Sequence, residues 1–321
     1  MRYWTKATAA AASLLLVAAA CGDDDDGVEN GEAAVEPGSL DGVTVTVGSK
    51  EFTEQRILGQ IAIVALEAAG ATVNDQTGIE GTPAVRAALE AGEIDMYWEY
   101  TGTGWSAILG HEISEAATDT QQLWEDVRDE DGGNDIVWLD PAPVNNTYAI
   151  ASAPGVASGL GVTTLSDYAD LVQNNPDEAT LCAAAEFIVR DDGIPGMEQT
   201  YGFDMPGNLI QEMELGIIHT RLPQSDPCNF GEVFATDGQI VTNELEVLED
   251  DQGAFPPYNV ALTLRQDVYD EIGETLEEIF NPIAAELTDD VLRDMNARAS
   301  DDPGFEDEIA EDFLRDNGFI E

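Results

Sequence analysis

The chain has 321 residues, 43% of them hydrophobic, and its 12 basic and 65 acidic residues give a formal net charge of −53. This length is typical of one large domain or two lobes, and the hydrophobic content is sufficient for a packed core. The charge excludes nucleic acids and anionic lipid headgroups as partners, because their phosphates repel so acidic a surface. We hypothesise an adaptation to high salt, which screens such charge; unfolding midpoints that do not rise with NaCl concentration would contradict it.

The first twenty residues combine two basic side chains with an alanine-rich apolar run, Ala7–Ala20. This run is too short for a typical membrane-spanning helix but suits a signal peptide. Three small residues directly before Cys21 resemble a bacterial lipobox, although alanine replaces its usual leucine. We therefore predict a signal peptide over residues 1–20, a lipid on Cys21 and an acidic, flexible tether over residues 21–42. An ordinary signal peptide that is cleaved elsewhere is the alternative.

The next segments alternate between strand and helix patterns. Val43–Val47 alternates with a period of two, which predicts a strand, and the apolar periodicity of Phe52–Ala69 predicts a helix. A second helix is predicted over Thr82–Gly92 and a second strand over Ile94–Tyr100. This rhythm favours an α/β fold with a largely parallel sheet.

The pattern continues to the C-terminus. We predict a second α/β block over about Leu165–Val247 and a helical end over Gln266–Gly318. The remaining predicted elements are helices at Thr118–Asp129 and Asp167–Gln173 and strands at Ile136–Leu139, Thr147–Ala151, Thr180–Ala184 and Asn259–Leu264.

Two cysteines, Cys182 and Cys228, remain after Cys21. An even pair in an exported protein favours a disulfide, whose loop of about 47 residues contributes roughly 4 kcal/mol on the chain-entropy model. Two buried free thiols are the alternative.

No catalytic constellation is present in the sequence. The only histidines are His111 and His219, and neither a zinc motif nor a nucleophile elbow occurs. Gly102–Ala107 fits a dinucleotide fingerprint, but the acidic residue expected at the end of a second strand is missing. We therefore expect no enzyme, no metal site and no cofactor.

Three segments place aromatic and polar residues at strand ends or turns: Tyr97–Thr103, Asn145–Ala149 and Phe255–Tyr258. Each alone is more typical of a packed core or surface aromatic, but together they indicate a cage for an organic cation. A carboxylate on the same ligand requires positive charge, for which Lys50 and Arg190 are candidates. Lys50 is the only lysine of the predicted mature chain.

These residues resemble a known family, the glycine betaine/choline/proline ABC-transporter substrate-binding proteins. Gly48–Gln55 is similar to the family's G-S-K-x-F-T-E-Q opening, and Gly92–Thr103 is similar to its second block. Further ordered matches, within a resemblance that spans about Val43 to Glu321, are Arg190–Gly193, Tyr201–Gly202, Ala235–Ile240, Leu248–Asp251 and Phe255–Tyr258.

The resemblance implies a two-lobed, type II periplasmic-binding-protein (Venus-flytrap) fold with two crossing segments, near Pro141–Asn146 and Leu245–Asp251. Lobe 1 would comprise residues 43–143 and 250–321, and lobe 2 residues 144–249. The family's aromatic cage maps onto Tyr100, Tyr148, Phe234 and Tyr258, with phenylalanine where the family often has tyrosine. The family's carboxylate positions correspond to Lys50, Thr103 and Arg190, with Gln55 as a weaker candidate and Asn146 at the cage edge.

The resemblance also implies an extracytoplasmic lipoprotein of an ABC importer that binds glycine betaine, proline betaine or choline. Its partners would be a small quaternary-ammonium ligand and a separate ABC permease with its ATPase. We expect contact with the cell membrane only through the lipid, and a monomer. Three alternatives remain: a binding protein for another small amine or amino acid, a sensory lipoprotein, and a secreted enzyme on the same scaffold.

Overall fold

The structure, a computed structural model, describes residues 35–301 and 304–321. The predicted signal peptide, Cys21 and most of the predicted tether lie outside these residues. Val35 and Leu40, at the end of the predicted tether, are only 2% and 1% exposed and join the hydrophobic core. The packed body therefore includes residues that the sequence analysis assigned to the tether.

Ten strands in the described ranges form two five-stranded sheets. In chain order they are β1 (Thr44–Lys50), β2 (Thr72–Ile79), β3 (Met96–Tyr100), β4 (Ile136–Trp138), β5 (Tyr148–Ser152), β6 (Leu181–Ala183), β7 (Ile210–Glu212), β8 (Phe230–Phe234), β9 (Glu246–Val247) and β10 (Val260–Arg265).

Helices surround both sheets. They are α1 (Thr53–Ala68), α2 (Thr82–Glu90), α3 (Thr101–Thr103), α4 (Thr120–Asp131), α5 (Val156–Leu160), α6 (Leu165–Asn174), α7 (Ala185–Val189), α8 (Ile194–Tyr201), α9 (Leu215–Arg221), α10 (Gln239–Thr242), α11 (Gln266–Glu286), α12 (Asp289–Asp301) and α13 (Glu306–Asp316). A π-helical turn, Gly104–Ile108, continues α3, and short 3₁₀ turns occur at Ile113–Glu115, Gly132–Asn134, Pro176–Glu178 and Leu222–Gln224. Within the described part of the chain, no helix has the length and apolar character of a membrane-spanning segment.

The order of the first sheet is β2-β1-β3-β10-β4, and that of the second is β7-β6-β8-β5-β9. Each sheet contains two parallel and two antiparallel pairs of neighbours, so the prediction of a largely parallel sheet is wrong. The physical reason lies in the path of the chain. In the first sheet β10, which the chain reaches only after leaving the second sheet, runs against both of its neighbours.

The apolar periodicity of α1 explains why this segment forms a helix that packs along one face. Its apolar residues recur every three or four positions and form one buried stripe. The helix is followed by Gly70, whose φ of +97° is in the left-handed region that ends many helices and favours glycine. Because α1 begins three residues after the end of β1, its first turn lies at the carboxyl end of that strand.

The chain crosses between the sheets twice, from β4 to β5 and from β9 back to β10. The predicted crossing at Pro141–Asn146 lies within the first connection. The predicted crossing at Leu245–Asp251 starts too early, because β9 still belongs to the second sheet. The two connections run side by side and are joined by a bridge between Asn145 and Asn259.

A disulfide joins Cys182 in β6 to Cys228 just before β8, with an S–S distance of 1.99 Å and a Cα–Cα distance of 5.6 Å. Both cysteines are fully buried. The predicted disulfide is therefore confirmed over the alternative of two free thiols.

Candidate functional site

A cavity of about 1270 Å³ has walls from both sheets and from the connections between them. Its lining includes eight of the nine residues that the sequence analysis proposed for ligand binding, namely Lys50, Tyr100, Thr103, Asn146, Tyr148, Arg190, Phe234 and Tyr258. Residues up to 208 positions apart in sequence thus meet in one space. Gln55 instead donates its side-chain amide to the Trp98 carbonyl at 2.9 Å, which fixes the start of α1 against β3.

Tyr148 is the centre of an aromatic cluster. Its ring centroid lies 4.9 Å from Phe187, 5.2 Å from Phe234, 5.4 Å from Tyr258 and 6.0 Å from Phe255. The Tyr258 ring meets it edge-on, at 82°. These distances and tilts are those of favourable aromatic pairs.

A second row of rings connects this cluster to the first sheet. Phe52 lies 5.3 Å from Phe234 and 6.3 Å from Tyr100 between centroids. The four rings that the sequence analysis predicted for a cage are therefore linked in one wall. Phe52 was part of the opening motif but was not predicted as a wall residue. An aromatic residue just beyond a strand's carboxyl end was the signal that could have identified it.

The tyrosine hydroxyls of this wall are protonated hydrogen-bond donors, because burial raises the pKa of Tyr100 and of Tyr258 well above the ordinary range. The Tyr100 hydroxyl donates to Glu54 Oε1 at 2.8 Å. The Tyr258 hydroxyl donates to Asp192 Oδ2 at 2.7 Å. Each of these two rings is thus fixed at its hydroxyl end by a carboxylate.

Lys50 is 4% exposed, and its ammonium donates to Glu99 Oε1 at 2.7 Å. Glu99 is fully buried and also accepts from the Tyr97 hydroxyl at 2.9 Å and from the backbone N–H of Tyr100 at 2.7 Å. The charge of Lys50 is therefore balanced within the protein. An ammonium has three donors, so Lys50 can still donate into the cavity that it lines.

Arg190 is the second cation of the cavity. Its Nε donates to Asp192 Oδ1 at 2.6 Å, and its Nη2 lies 3.3 Å from Thr103 Oγ1. Asp192 also accepts from Ser106 and Tyr258, at 2.6 and 2.7 Å. Burial alone would raise the pKa of Asp192, but the hydrogen bonds and charge of Arg190 lower it below the ordinary value. The pair forms a neutral unit that joins the two sides of the cavity.

Glu54 is a buried carboxylate in the first turn of α1, 3% exposed. Its Oε1 accepts from Tyr100 and from Asn146 Nδ2 at 2.8 and 2.6 Å. Its Oε2 accepts from Thr236 Oγ1 and Asn296 Nδ2 at 2.5 and 2.7 Å. Burial raises the pKa of Glu54, and hydrogen bonds oppose that rise. The sequence analysis quoted this residue in a motif but gave it no role.

The cavity extends past Phe234 to a further group of titratable residues. His219 Nε2 lies 2.8 Å from Asp237 Oδ2, which also accepts from the Phe234 N–H at 2.7 Å. Burial raises the pKa of Glu232 to about 8, and the N–H of Ala184 donates to it at 2.7 Å. Nothing in the sequence singled out this group, because its members come from separate strands and turns.

The chemistry of the wall suits a small organic cation. Aromatic faces and carboxylates converge, while both cations of the cavity are balanced by acidic partners. In the part of the chain that the structure describes, no three His, Cys, Asp or Glu side chains are grouped as they would be around a metal ion.

Comparison with known proteins relates this chain to transport proteins. The OpuAC family, described as the substrate binding domain of the ABC-type glycine betaine transport system, matches residues 43–316. The glycine-betaine-binding protein of Pseudomonas aeruginosa is 35% identical over 283 residues, which cover 87% of this chain and 89% of that protein. The glycine betaine-binding protein YehZ of Escherichia coli is 33% identical over 280 residues, which cover 86% and 91%.

The solved structure of apo YehZ from Escherichia coli matches this fold with a TM-score of 0.63 at 32% identity, covering 86% of this chain and 99% of that chain. The likeness confirms the predicted α/β fold of a periplasmic binding protein. These relatives are named as binding proteins rather than as enzymes.

Proposed function

Because this chain belongs to the family of substrate-binding domains of ABC-type glycine betaine transport systems, we propose that it captures quaternary-ammonium ligands outside the cytoplasm for an ABC importer. The proposed ligands are glycine betaine, proline betaine and choline. The names of the Pseudomonas aeruginosa and Escherichia coli relatives support this ligand class. The observation that carries the proposal is the convergence of the Tyr100, Tyr148, Phe234 and Tyr258 rings in one cavity wall.

A trimethylammonium group has no N–H to donate, so a protein recognises it by shape and by attraction to aromatic faces. Each such face contributes about 0.5–2 kcal/mol, more where water is excluded. Phe52 extends the ring wall between Tyr100 and Phe234, and we include it among the binding residues. Asn146 lines the cavity edge and is held by Glu54.

The carboxylate of a betaine would lie against Lys50, Thr103 and Arg190. The positive charges here are balanced by Glu99 and Asp192, so recognition would come from the remaining N–H and O–H donors more than from net charge. Such a site would accept choline as well, since a hydroxyl can replace the carboxylate as an acceptor.

We further propose that the two sheets form two lobes that close on the ligand, with residues 43–143 and 250–321 in one and 144–249 in the other. The two separate five-stranded sheets support this division, and polar contacts such as Arg190 to Thr103 and Glu54 to Thr236 join the two sides. The closed form would dock on a separate permease that works with an ATPase. The protein would act as a monomer held to the membrane by a lipid on Cys21.

Isothermal titration calorimetry in high salt would test the proposal with glycine betaine, proline betaine, choline and proline. We expect saturable binding of the quaternary amines and its loss in Tyr148→Ala. Tyr269→Ala is a matched control, because Tyr269 lies on α11 and is not among the cavity-lining residues. The absence of binding of any quaternary amine by protein with a cooperative unfolding transition would contradict the proposal.

A further inference from the structure

We propose that Glu54 determines how strongly this cage prefers a cation over a neutral group of the same shape. The carboxylate does so by accepting the hydroxyl hydrogen bond of Tyr100 and by placing an uncompensated negative charge behind the aromatic wall. The inference rests on the proposed function of the cage.

Glu54 is bound by neutral donors alone. Its four hydrogen-bond donors are two hydroxyls and two side-chain amides, and no Lys or Arg of the described residues forms an ion pair with it. The other carboxylates that bond to this wall differ, because Glu99 pairs with Lys50, Asp192 with Arg190 and Asp237 with His219. Among the carboxylates hydrogen-bonded to the aromatic wall in the described residues, Glu54 is therefore the one without a basic partner.

The hydrogen-bond pattern favours the ionised form. The Asn296 amide donates to both Glu54 Oε2 and the Thr236 carbonyl, at 2.7 and 3.0 Å, which fixes its nitrogen toward the carboxylate. A protonated Glu54 could donate its own hydrogen only to the hydroxyl of Tyr100 or Thr236, since neither amide nitrogen is an acceptor, whereas the ionised form accepts from all four partners. Burial raises the pKa of Glu54 above its ordinary value, the charge of Asp237 adds to the rise, and the bonds from Thr236, Asn296 and Tyr100 lower it only in part.

The negative charge of Glu54 also affects the ring of Tyr100. A phenol that donates to an anion gains electron density on its ring, because the O–H bond is polarised toward the acceptor. A cation is attracted to the negative face of such a ring, whereas a neutral group gains only dispersion and burial. Since the Glu54 and Tyr100 side chains are both buried, this polarisation and the direct field of Glu54 are screened less than they would be in water.

Tyr258 provides an internal comparison. Its hydroxyl donates to Asp192 at 2.7 Å, the same arrangement as Tyr100 and Glu54. Asp192 also binds the guanidinium of Arg190, so the carboxylate behind Tyr258 has a cationic partner, which Glu54 lacks. Preference for a cation should therefore depend more on Tyr100 than on Tyr258.

The test compares choline with 3,3-dimethylbutan-1-ol, in which carbon replaces the charged nitrogen. The affinity of the alcohol is measured by its displacement of choline. In Glu54→Gln we expect choline affinity to fall about tenfold while affinity for the alcohol changes less than about threefold. Tyr100→Phe keeps the ring and removes only the hydrogen bond, and we expect the same selective loss at smaller size. Tyr100→Phe should lower choline affinity by a smaller factor in the Glu54→Gln variant than in the wild-type protein.

Tyr201→Phe is the matched control, because the Tyr201 hydroxyl also donates to a carboxylate, Asp250, and its side chain is not among those that line the cavity. It should leave both affinities unchanged. Equal losses of choline and of the alcohol in Glu54→Gln and Tyr100→Phe would overturn the inference and indicate that Glu54 only shapes the wall. Failure of the unaltered protein to bind any quaternary amine would instead overturn the proposed function.

Discussion

Tyr148 and Phe234 face each other across the antiparallel strands β5 and β8, as directly paired residues with ring centroids 5.2 Å apart. Because side chains alternate between the faces of a sheet, a slip of one residue in this pairing would turn one ring away from the other. The register of two strands in the second sheet therefore defines the centre of the aromatic wall. Strand β3 and the segment before β10 bring Tyr100 and Tyr258 to it from the first sheet.

Gly102 permits the close approach of Tyr258. A Cβ at this position would lie 2.6 Å from Tyr258 Cε1 and 2.9 Å from the Pro257 carbonyl oxygen. We expect Gly102→Ala to displace the Tyr258 ring, to weaken choline binding about tenfold and to destabilise the fold by about 1–3 kcal/mol. Titration calorimetry and urea unfolding would measure both effects. Gly159→Ala is the control, since no atom lies within 4 Å of its added Cβ. An undiminished affinity in Gly102→Ala would contradict this account.

Substitutions in the Lys50–Glu99 pair can separate the contribution of Lys50 to stability from its contribution to ligand binding. Lys50→Met leaves Glu99 buried without a counter-charge, which should cost about 3–5 kcal/mol of unfolding free energy. The double variant Lys50→Met/Glu99→Gln should recover most of this stability. If Lys50 donates to a ligand carboxylate, both variants bind glycine betaine more weakly and choline about as well as before. Full glycine betaine affinity in the double variant would assign Lys50 a structural role alone.

Glu232 should make the fold less stable as the pH rises. Its pKa is about 8 in the folded protein against an ordinary value of 4.5, so between these values the unfolded chain releases a proton that the native state retains. The free energy of unfolding then falls with increasing pH, by up to roughly 1.4 kcal/mol per pH unit from this group.

Urea unfolding from pH 5 to 9 would measure this effect as the difference between the wild-type protein and Glu232→Gln. The charged groups that act on Glu232, namely Asp237, His219 and Arg190, are present in both proteins. The raised pKa of His219 contributes a fall of the same sign in both proteins, and a smaller one in Glu232→Gln, because the charge of Glu232 is one of the causes that raise it. Parallel pH profiles of the two proteins would show that Glu232 is not the source.

The disulfide should stabilise the second sheet substantially. The Cys182–Cys228 bond closes a loop with a sequence separation of 46, for which the chain-entropy model gives roughly 4 kcal/mol. We expect Cys182→Ser/Cys228→Ser to lower the unfolding free energy by about this amount, and a reductant to lower that of the wild-type protein equally. A reductant that also destabilised the double variant would indicate that another group is responsible.

Elements with a strong apolar period were predictable from the sequence, and α1 and β3 begin and end within about two residues of their predicted limits. Strand β2 was missed, because Thr72–Ile79 is an edge strand with a largely polar, exposed sequence and no alternation. Strand direction was also not predictable. Whether β10 runs parallel or antiparallel depends on where the chain returns from the second sheet, which periodicity does not encode.

The resemblance predicted eight residues that all line one cavity, because each belongs to a short motif at a strand end or turn. It did not identify Phe187, which lies in an ordinary-looking helix and reaches Tyr148 only through tertiary packing. Nor did the sequence show that Lys50 and Arg190 are both paired with carboxylates. In a chain with 65 acidic residues, no pattern indicates which of them will meet a given cation.

Lys50 is the only lysine in the described residues, and it lies inside the cavity with 4% of its surface exposed. Reagents that acylate amines therefore find no lysine on the outer surface of this part of the protein. Modification of Lys50 requires the reagent to enter the cavity and to meet an ammonium that has left Glu99 and lost a proton. The rate of acylation at this one position, followed by mass spectrometry, would thus report how often the cavity admits the reagent.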